Sequence, residues 1–546
     1  MFSFISKWKL SSTTLILLVS LYFTLALNLG FYQQVLKIQS LDNSSNDYFL
    51  YTLPIVYFFA LNIILNILAI PLLHKIIIPL LIVISAAISY NSLFFNTYFD
   101  VDMLNNVLQT NFAESSRMLT FSYVMWLLGL GVLPALLYLL VKIEYKKWWK
   151  GLFSRLGSVL VSVLAISGIA KFHYQDYASF FRNHKDLAHL ITPSNFVASS
   201  IKKIRRDIRD NTPYQQIGLD SKQAKPDGYR HVTIMVVGET TRAQNWGLNG
   251  YERQTTPKLA ARGAEVINFP KVTSCGTATA VSVPCMFSSF GKEDFNVNQS
   301  YKQDNLLDML QRAGMEILWL NNNSDCKGIC KNVPNKDTIN LKQPEFCRDG
   351  ECLDNILLPE IDKALAQSEN KKDMMIVVHT MGSHGPTYYE RYTKDERVFT
   401  PTCDTNEISR CSNQELVNTY DNGIVYLDQF LDKIISKLEQ HEKWESALYY
   451  VSDHGESLGE NGLYLHGAPY AVAPEIQTHV PMIMWFSKEF VKNEPFDLDC
   501  VRNNAKNKEH SHDNLFHTMF SINDMDLKSS VYKPELDILA QCRKAK

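Results

Sequence analysis

The stretch Ala447-Leu448-Tyr449-Tyr450-Val451-Ser452-Asp453-His454-Gly455-Glu456-Ser457 passes abruptly from apolar residues to acids and an imidazole. Its β-branched and aromatic start predicts a buried strand. An Asp-His pair at the end of such a strand falls where open α/β sheets hold their ligands, outside the carboxyl ends of the strands. Carboxylate and imidazole side by side suit a metal ion. The glycines that follow, Gly459, Gly462 and Gly467, permit tight turns that would bring His466 back toward Asp453 and His454.

Working outward, strand and helix patterns alternate. His231 to Val237 predicts a strand, Asp304 to Arg312 a helix stopped at Gly314, and Met315 to Leu320 and Met374 to Val378 two further strands. From Asn413 to about His441, Leu416, Tyr420, Ile424, Leu427, Leu431, Ile434 and Leu438 recur at helical spacing and predict a core-facing helix. The pattern implies a mostly parallel sheet covered by helices on both faces. Two more predicted strands end in polar residues, one in Gly238-Glu239-Thr240-Thr241-Arg242 and one in His379-Thr380-Met381-Gly382-Ser383-His384-Gly385. Glu239, His384, Asp453, His454 and His466 would then converge on one sheet edge, a donor set for one or two zinc ions.

Between these segments lies Ser274-Cys275-Gly276-Thr277-Ala278-Thr279-Ala280-Val281-Ser282-Val283-Pro284-Cys285-Met286. Small residues before an apolar run predict a helix start, where exposed N–H groups favour an anion such as phosphate. Thr277, Thr279 and Ser282 are all candidates for a hydroxyl nucleophile. Ser282 also begins a sulfatase-like pattern, but Met286 stands where a sulfatase has Arg.

The first 171 residues have a different composition. Residues 11 to 31, 49 to 73, 76 to 96, 121 to 141 and 153 to 170 are apolar runs long enough to cross a bilayer. Lys7, Lys9, His74, Lys75, Lys142, Lys146, Lys147, Lys150 and Arg155 mark one side as cytoplasmic, and Asp42, Asp47, Asp100, Asp102 and Glu114 mark the other. Five spans with a cytoplasmic amino terminus leave everything after Lys171 outside the membrane. All 10 cysteines follow residue 270, as disulfides in an oxidising compartment would require. Sequence proximity suggests Cys275-Cys285, Cys326-Cys330, Cys347-Cys352 and Cys403-Cys411, leaving Cys500 for Cys542. In the second outer loop, Asn106, Thr110 and Glu114 are spaced to share one helix face. Residues 172 to 225, with Lys202, Lys203, Arg205, Arg206 and Arg209, predict an amphipathic bridging helix and linker. The net charge of −2 gives no case for nucleic acid, which would call for a concentrated basic surface. No charge sits deep in the spans to mark an ion path, which argues against a transporter.

Taken together, VVGETTRA, NGYERQTTP, SCGTATAVSVPCMF, NNNSDCKG, GSHGPTYY, FTPTCDTNE, YDN, VSDHGESLGENG and YLHG resemble the lipid A phosphoethanolamine transferases, mobile colistin-resistance enzymes included. The resemblance implies a five-helix transmembrane domain (1–171), the bridging segment (172–225) and an alkaline-phosphatase-like, sulfatase-type α/β domain (226–546) on the periplasmic side of a Gram-negative inner membrane. It implies Thr279 as the nucleophile and as a zinc ligand with Glu239, Asp453 and His454, while Thr277 drops to a supporting role. His384 and His466 match residues of proton transfer or a second zinc. Asn323, Ser324 and Lys327 match headgroup contacts, and Asn106, Thr110 and Glu114 match a lipid-facing loop. Ala278 replaces a serine found in some relatives. The expected donor is phosphatidylethanolamine and the expected acceptor a lipid A phosphate, giving resistance to polymyxin and other cationic peptides, with the chain acting as a monomer. Alternatives with the same chemistry are a lipopolysaccharide core sugar or a protein as acceptor.

Overall fold

In the computed structural model, residues 9–42, 47–68, 73–144, 147–209, 213–224, 228–341, 343–348, 350–367 and 372–544 are described. Lys7 and Lys146 lie outside them, as do the side chains of Asp42, Asp47, Glu114 and Arg209. The chain divides into two compact units, one made of 1–104 with 119–202, the other of 105–118 with 203–546.

In the first unit, Phe49–Leu68, His74–Phe95, Phe121–Leu140 and Trp148–Tyr174 are helices long and apolar enough to cross a membrane. Ser12–Ala26 and Leu29–Gln39, bent by 48°, make a fifth span if taken as one. The bend falls at Asn28, whose side-chain amide donates to the Phe23 carbonyl at 2.8 Å and to that of Thr192 at 2.9 Å, standing in for backbone pairing at the break. Spanning helices gain little from apolar contact in lipid and rely on packing and interhelical hydrogen bonds. Asn62 supplies such bonds, donating to Ser158 at 2.9 Å and Ser162 at 2.8 Å.

The second unit is built on a seven-stranded sheet. In chain order its strands are β1 (Arg230–Gly238), β2 (Val266–Phe269), β3 (Glu316–Asn321), β4 (Asn335–Asp337), β5 (Met374–His379), β6 (Trp444–Ser452) and β7 (Met482–Phe486). They lie in the order 2-7-6-1-5-3-4. Pairings 6-1, 1-5, 5-3 and 3-4 are parallel, whereas β7 runs antiparallel to both β6 and β2. The parallel centre is the expected one. The strands β2, β4 and β7 were not expected from periodicity, because short runs such as Met482–Phe486 carry no alternation.

The helix Asn413–Glu439 buries Leu416, Tyr420, Ile424, Leu427, Leu431, Ile434 and Leu438, the stripe read from the sequence. It starts with a capping box between Ser412 and Glu415 that satisfies two otherwise unpaired N–H groups. One sheet face packs Met235, Val237, Trp319 and Val451 against Met286, Phe287, Phe516 and Phe520 in a single buried cluster. Disulfides join Cys275 to Cys285, Cys326 to Cys330, Cys347 to Cys352, Cys403 to Cys411 and Cys500 to Cys542. The first four are the pairs suggested by sequence proximity, and Cys500-Cys542 is the pair left over.

Candidate active site

Four adjacent parallel strands, in the order β6, β1, β5 and β3, end at the same edge of the sheet. Beyond them follow Asp453-His454, Glu239, the Thr380-to-His384 turn and Asn322 to Ser324. Glu239, Asp453 and His454 are completely buried. Their ligand atoms lie within 4.8 Å of one another. His454 Nε2 stands 3.4 Å from both Glu239 Oε1 and Asp453 Oδ2.

Thr279 opens the helix Thr279–Met286, and its hydroxyl points into this cluster. Oγ1 lies 3.1 Å from Glu239 Oε2 and 3.3 Å from His454 Nε2. The other two hydroxyls are committed elsewhere: Thr277 donates to the Ala468 carbonyl at 2.6 Å, and Ser282 Oγ accepts from the Gly276 N–H at 3.0 Å. Only Thr279 of the three faces the carboxylates.

The loop carrying Glu239 is held under strain. Thr240 sits at φ 59°, a left-handed conformation that β-branched residues avoid. Three bonds hold it there: its N–H donates to Asp453 Oδ1 at 3.1 Å, its hydroxyl to Glu239 Oε1, and its carbonyl accepts from Tyr420 OH at 2.6 Å. Tyr420, read from the sequence as core, therefore also braces the site. Gly382, at φ 52°, lets the His384 turn pass close by; a Cβ there would lie 2.4 Å from the Glu239 carbonyl.

Burial pushes the Asp453 carboxyl well up, and the Glu239 charge pushes it further. Glu239 is likewise penalised by burial, but the imidazoles of His454, His384 and His466 outweigh this and hold it well below the usual carboxylate range. Asp453 Oδ2 is buried and makes no hydrogen bond among the described residues. A buried pair of carboxylates, one imidazole and an unpaired carboxylate oxygen fit a divalent cation of the zinc type. A second group, His454, Glu456 and His466, also brings its ligand atoms within 4.8 Å.

His466 Nδ1 bonds Glu456 Oε2 at 2.9 Å, and Glu456 Oε1 accepts from Tyr388 OH at 2.6 Å. The His466 ring is centred 4.4 Å from that of His454 and 5.5 Å from that of His384. Asn323 donates to Glu239 Oε2 at 2.8 Å, and buried Lys327 donates to Ser324 Oγ at 2.7 Å. Of these three, Asn323 touches the cluster directly, and Ser324 and Lys327 follow it in a chain of hydrogen bonds.

The outer-loop expectation needs correction. Asn106, Thr110 and Glu114 do not share one helix face, because the segment breaks into Val101–Gln109 and Phe112–Met118. Thr110 Oγ1 donates to the Asn106 carbonyl at 2.8 Å, a bond that competes with continued helix, and the Asn111 carbonyl accepts the Ser115 N–H of the next one. Sequence reasoning also missed two supports. Asp354 accepts the Met381 and Gly382 N–H groups at 2.7 and 3.0 Å and so fixes the His384 turn. His512 Nδ1 accepts the Cys275 N–H at 3.1 Å, while Nε2 donates to the Ser452 carbonyl at 2.9 Å. It ties the loop before Thr279 to the end of β6, and no local motif marks it.

A helical unit with membrane-length helices joined to this sheet, with a hydroxyl facing metal-type ligands at the strand ends, has the architecture of a membrane-anchored sulfatase-type protein. The Sulfatase family model matches residues 231–525, and the model for phosphoethanolamine transferase EptA/EptB matches residues 57–208. Phosphoethanolamine transferase EptA of Escherichia coli K12 is 40% identical over 97% of this chain and 96% of its own. Phosphatidylethanolamine transferase Mcr-1 of Escherichia coli is 39% identical over 88% of this chain and 91% of its own. The solved structure of the integral membrane protein lipooligosaccharide phosphoethanolamine transferase A from Neisseria meningitidis is 54% identical. It covers 98% of this chain and 100% of its own, with a TM-score of 0.96. The chain belongs to the lipid A phosphoethanolamine transferase family.

Proposed function

We propose that this chain transfers phosphoethanolamine from phosphatidylethanolamine to a phosphate of lipid A through a phosphothreonine formed on Thr279. The observation that carries the reading is the approach of Thr279 Oγ1 to Glu239 Oε2 at 3.1 Å and His454 Nε2 at 3.3 Å, deep in a cluster of metal-type donors. The activities for which the relatives are named support the group transferred and the acceptor class. Ten cysteines, none free, support a periplasmic catalytic unit, and with the basic loops they support an inner-membrane protein whose amino terminus is cytoplasmic.

Glu239, Asp453, His454 and Thr279 would hold the zinc. When bound, that ion lowers the pKa of a neighbouring hydroxyl and offsets negative charge on a phosphoryl group. Thr279 loses its proton and its oxygen attacks phosphorus; the new phosphorus–oxygen bond replaces the one to diacylglycerol, whose oxygen takes up a proton. At the start of Thr279–Met286 the Val281 and Ser282 N–H groups donate to the Ala278 carbonyl, at 3.0 and 2.9 Å, and the N–H groups of Thr279 and Ala280 ahead of them would donate to phosphoryl oxygens. Asn323, Ser324 and Lys327 contribute polar and cationic contacts to the headgroup, and the Asn106–Thr110–Glu114 segment meets the lipid. In the second half, a lipid A phosphate oxygen attacks the same phosphorus and Thr279 is released. His466 keeps Nδ1 bonded to Glu456, which leaves Nε2 to accept and return the proton, with His384 beside it.

The test is mass spectrometry of both protein and lipid A from cells making the intact chain or Thr279→Ala. Added phosphoethanolamine should vanish from the protein and from lipid A in the variant. Modified lipid A persisting with Thr279→Ala would reassign the nucleophile.

A further inference from the structure

The segment 105–118 belongs to the same compact unit as the sheet, and one buried side chain on it reaches toward the site. Arg117, in the last turn of Phe112–Met118, is 9% exposed. Its Nε lies 2.8 Å from Glu351 Oε2, its Nη1 pairs with Glu390, and its Nη2 donates to the Arg348 carbonyl at 3.1 Å. Its own carbonyl accepts from Asn406 Nδ2 at 3.0 Å.

Glu351 Oε2 is shared. It also accepts from Arg391 Nη1 at 2.7 Å, and Arg391 Nε donates to the His384 carbonyl at 2.7 Å. Arg117 and Arg391 both reach Thr387 Oγ1, at 3.5 and 3.0 Å. Glu351 is anchored in turn by the two-stranded turn closed by Cys347-Cys352. Arg117, Glu351 and Arg391 are all at least nine-tenths buried. Such charges are stable only as a set, because removing one leaves an uncompensated partner in a dry environment. The guanidinium forks fix direction as well as charge.

We propose that Arg117 is a positioning residue: through Glu351 and Arg391 it sets the backbone at His384, so that the outer-loop segment controls where that imidazole stands against the phosphoryl group. The inference rests on the role given to His384 above. On the far side of the same turn, Asp354 holds the Met381 and Gly382 N–H groups, so the turn is gripped from both flanks. The Arg117 flank is the one attached to the lipid-facing segment. Loss of that grip frees the His384 carbonyl, while the Ser383 N–H keeps its bond to the Glu239 carbonyl at 3.1 Å.

The experiment is a double-mutant cycle on the full chain in detergent micelles, following turnover of fluorescent phosphatidylethanolamine. Arg117→Gln should lower kcat about tenfold or more while donor KM stays within about twofold. In a His384→Gln background the same substitution should change kcat less than about twofold, because both act through one imidazole. Arg117→Lys should recover part of the loss, since one ammonium replaces the charge but not the fork. If Arg117→Gln fails to fold, Arg117→Lys replaces it in the cycle with the same expected non-additivity. Multiplicative losses, or an Arg117 effect confined to KM, would overturn the proposal. Unchanged turnover in His384→Gln alone would instead overturn the role of His384, a separate failure.

Discussion

His512 should make the stability of the catalytic unit fall on mild acidification. The ring is buried, and both nitrogens are in use: Nδ1 accepts from Cys275 and Nε2 donates to Ser452. A second proton would have to sit on Nδ1, facing the Cys275 N–H. Burial accordingly lowers the pKa from 6.5 to about 4, only partly offset by the bond to Ser452. With the folded value below the unfolded one, the unfolded chain binds more protons between those limits. Stability is therefore fully present above pH 6.5 and is lost as pH falls toward 4. The whole window is worth about 3 kcal/mol, of which about 1 kcal/mol is lost between about pH 7.5 and pH 5.5. Urea unfolding followed by tryptophan fluorescence at those two pH values, for the parent and for His512→Asn, isolates the contribution. The parent should lose about 1 kcal/mol more than the variant on acidification. Equal losses in both would refute the reasoning.

Other outcomes are expected at the site itself. If Glu239, Asp453, His454 and Thr279 hold zinc as proposed, added zinc should raise the melting temperature of a chelator-treated parent, and Asp453→Asn should reduce bound zinc, measured by elemental analysis, and abolish that rise; an undiminished rise would remove Asp453 from the ligand set. Gly382→Ala should cost about a hundredfold or more in turnover, because a methyl there meets the Glu239 carbonyl at 2.4 Å on a left-handed backbone. Its far-ultraviolet circular dichroism should match the parent, and parental turnover would show that the turn is not tightly held against Glu239.

Much of the site was legible locally. β1, β5 and β6 are each followed within five residues by one of the site side chains Glu239, His384 and Asp453, and the apolar run before each predicted its strand. The stripe on Asn413–Glu439 was equally plain, since a 3.6-residue period is a property of neighbours along the chain. Tyr420 shows where this reading stops: its ring belongs to the stripe, but its hydroxyl works on Thr240, at a sequence separation of 180. The break at Thr110 was missed for a different reason. Spacing alone predicted continuous helix, and the competing Thr110–Asn106 bond depends on side-chain direction.

Sequence alone determined the apolar spans, the oxidised half, the central strands and which residue types stand at their ends, because each depends on composition or on short-range periodicity. Tertiary structure decided which hydroxyl faces the carboxylates, that β7 runs antiparallel between β6 and β2, and that His512 and Arg117 brace segments remote from them in the chain. The physical reason is that a short apolar run carries no label for its partner or direction. A buried polar side chain likewise finds its partner only once the folded chain has excluded water from both.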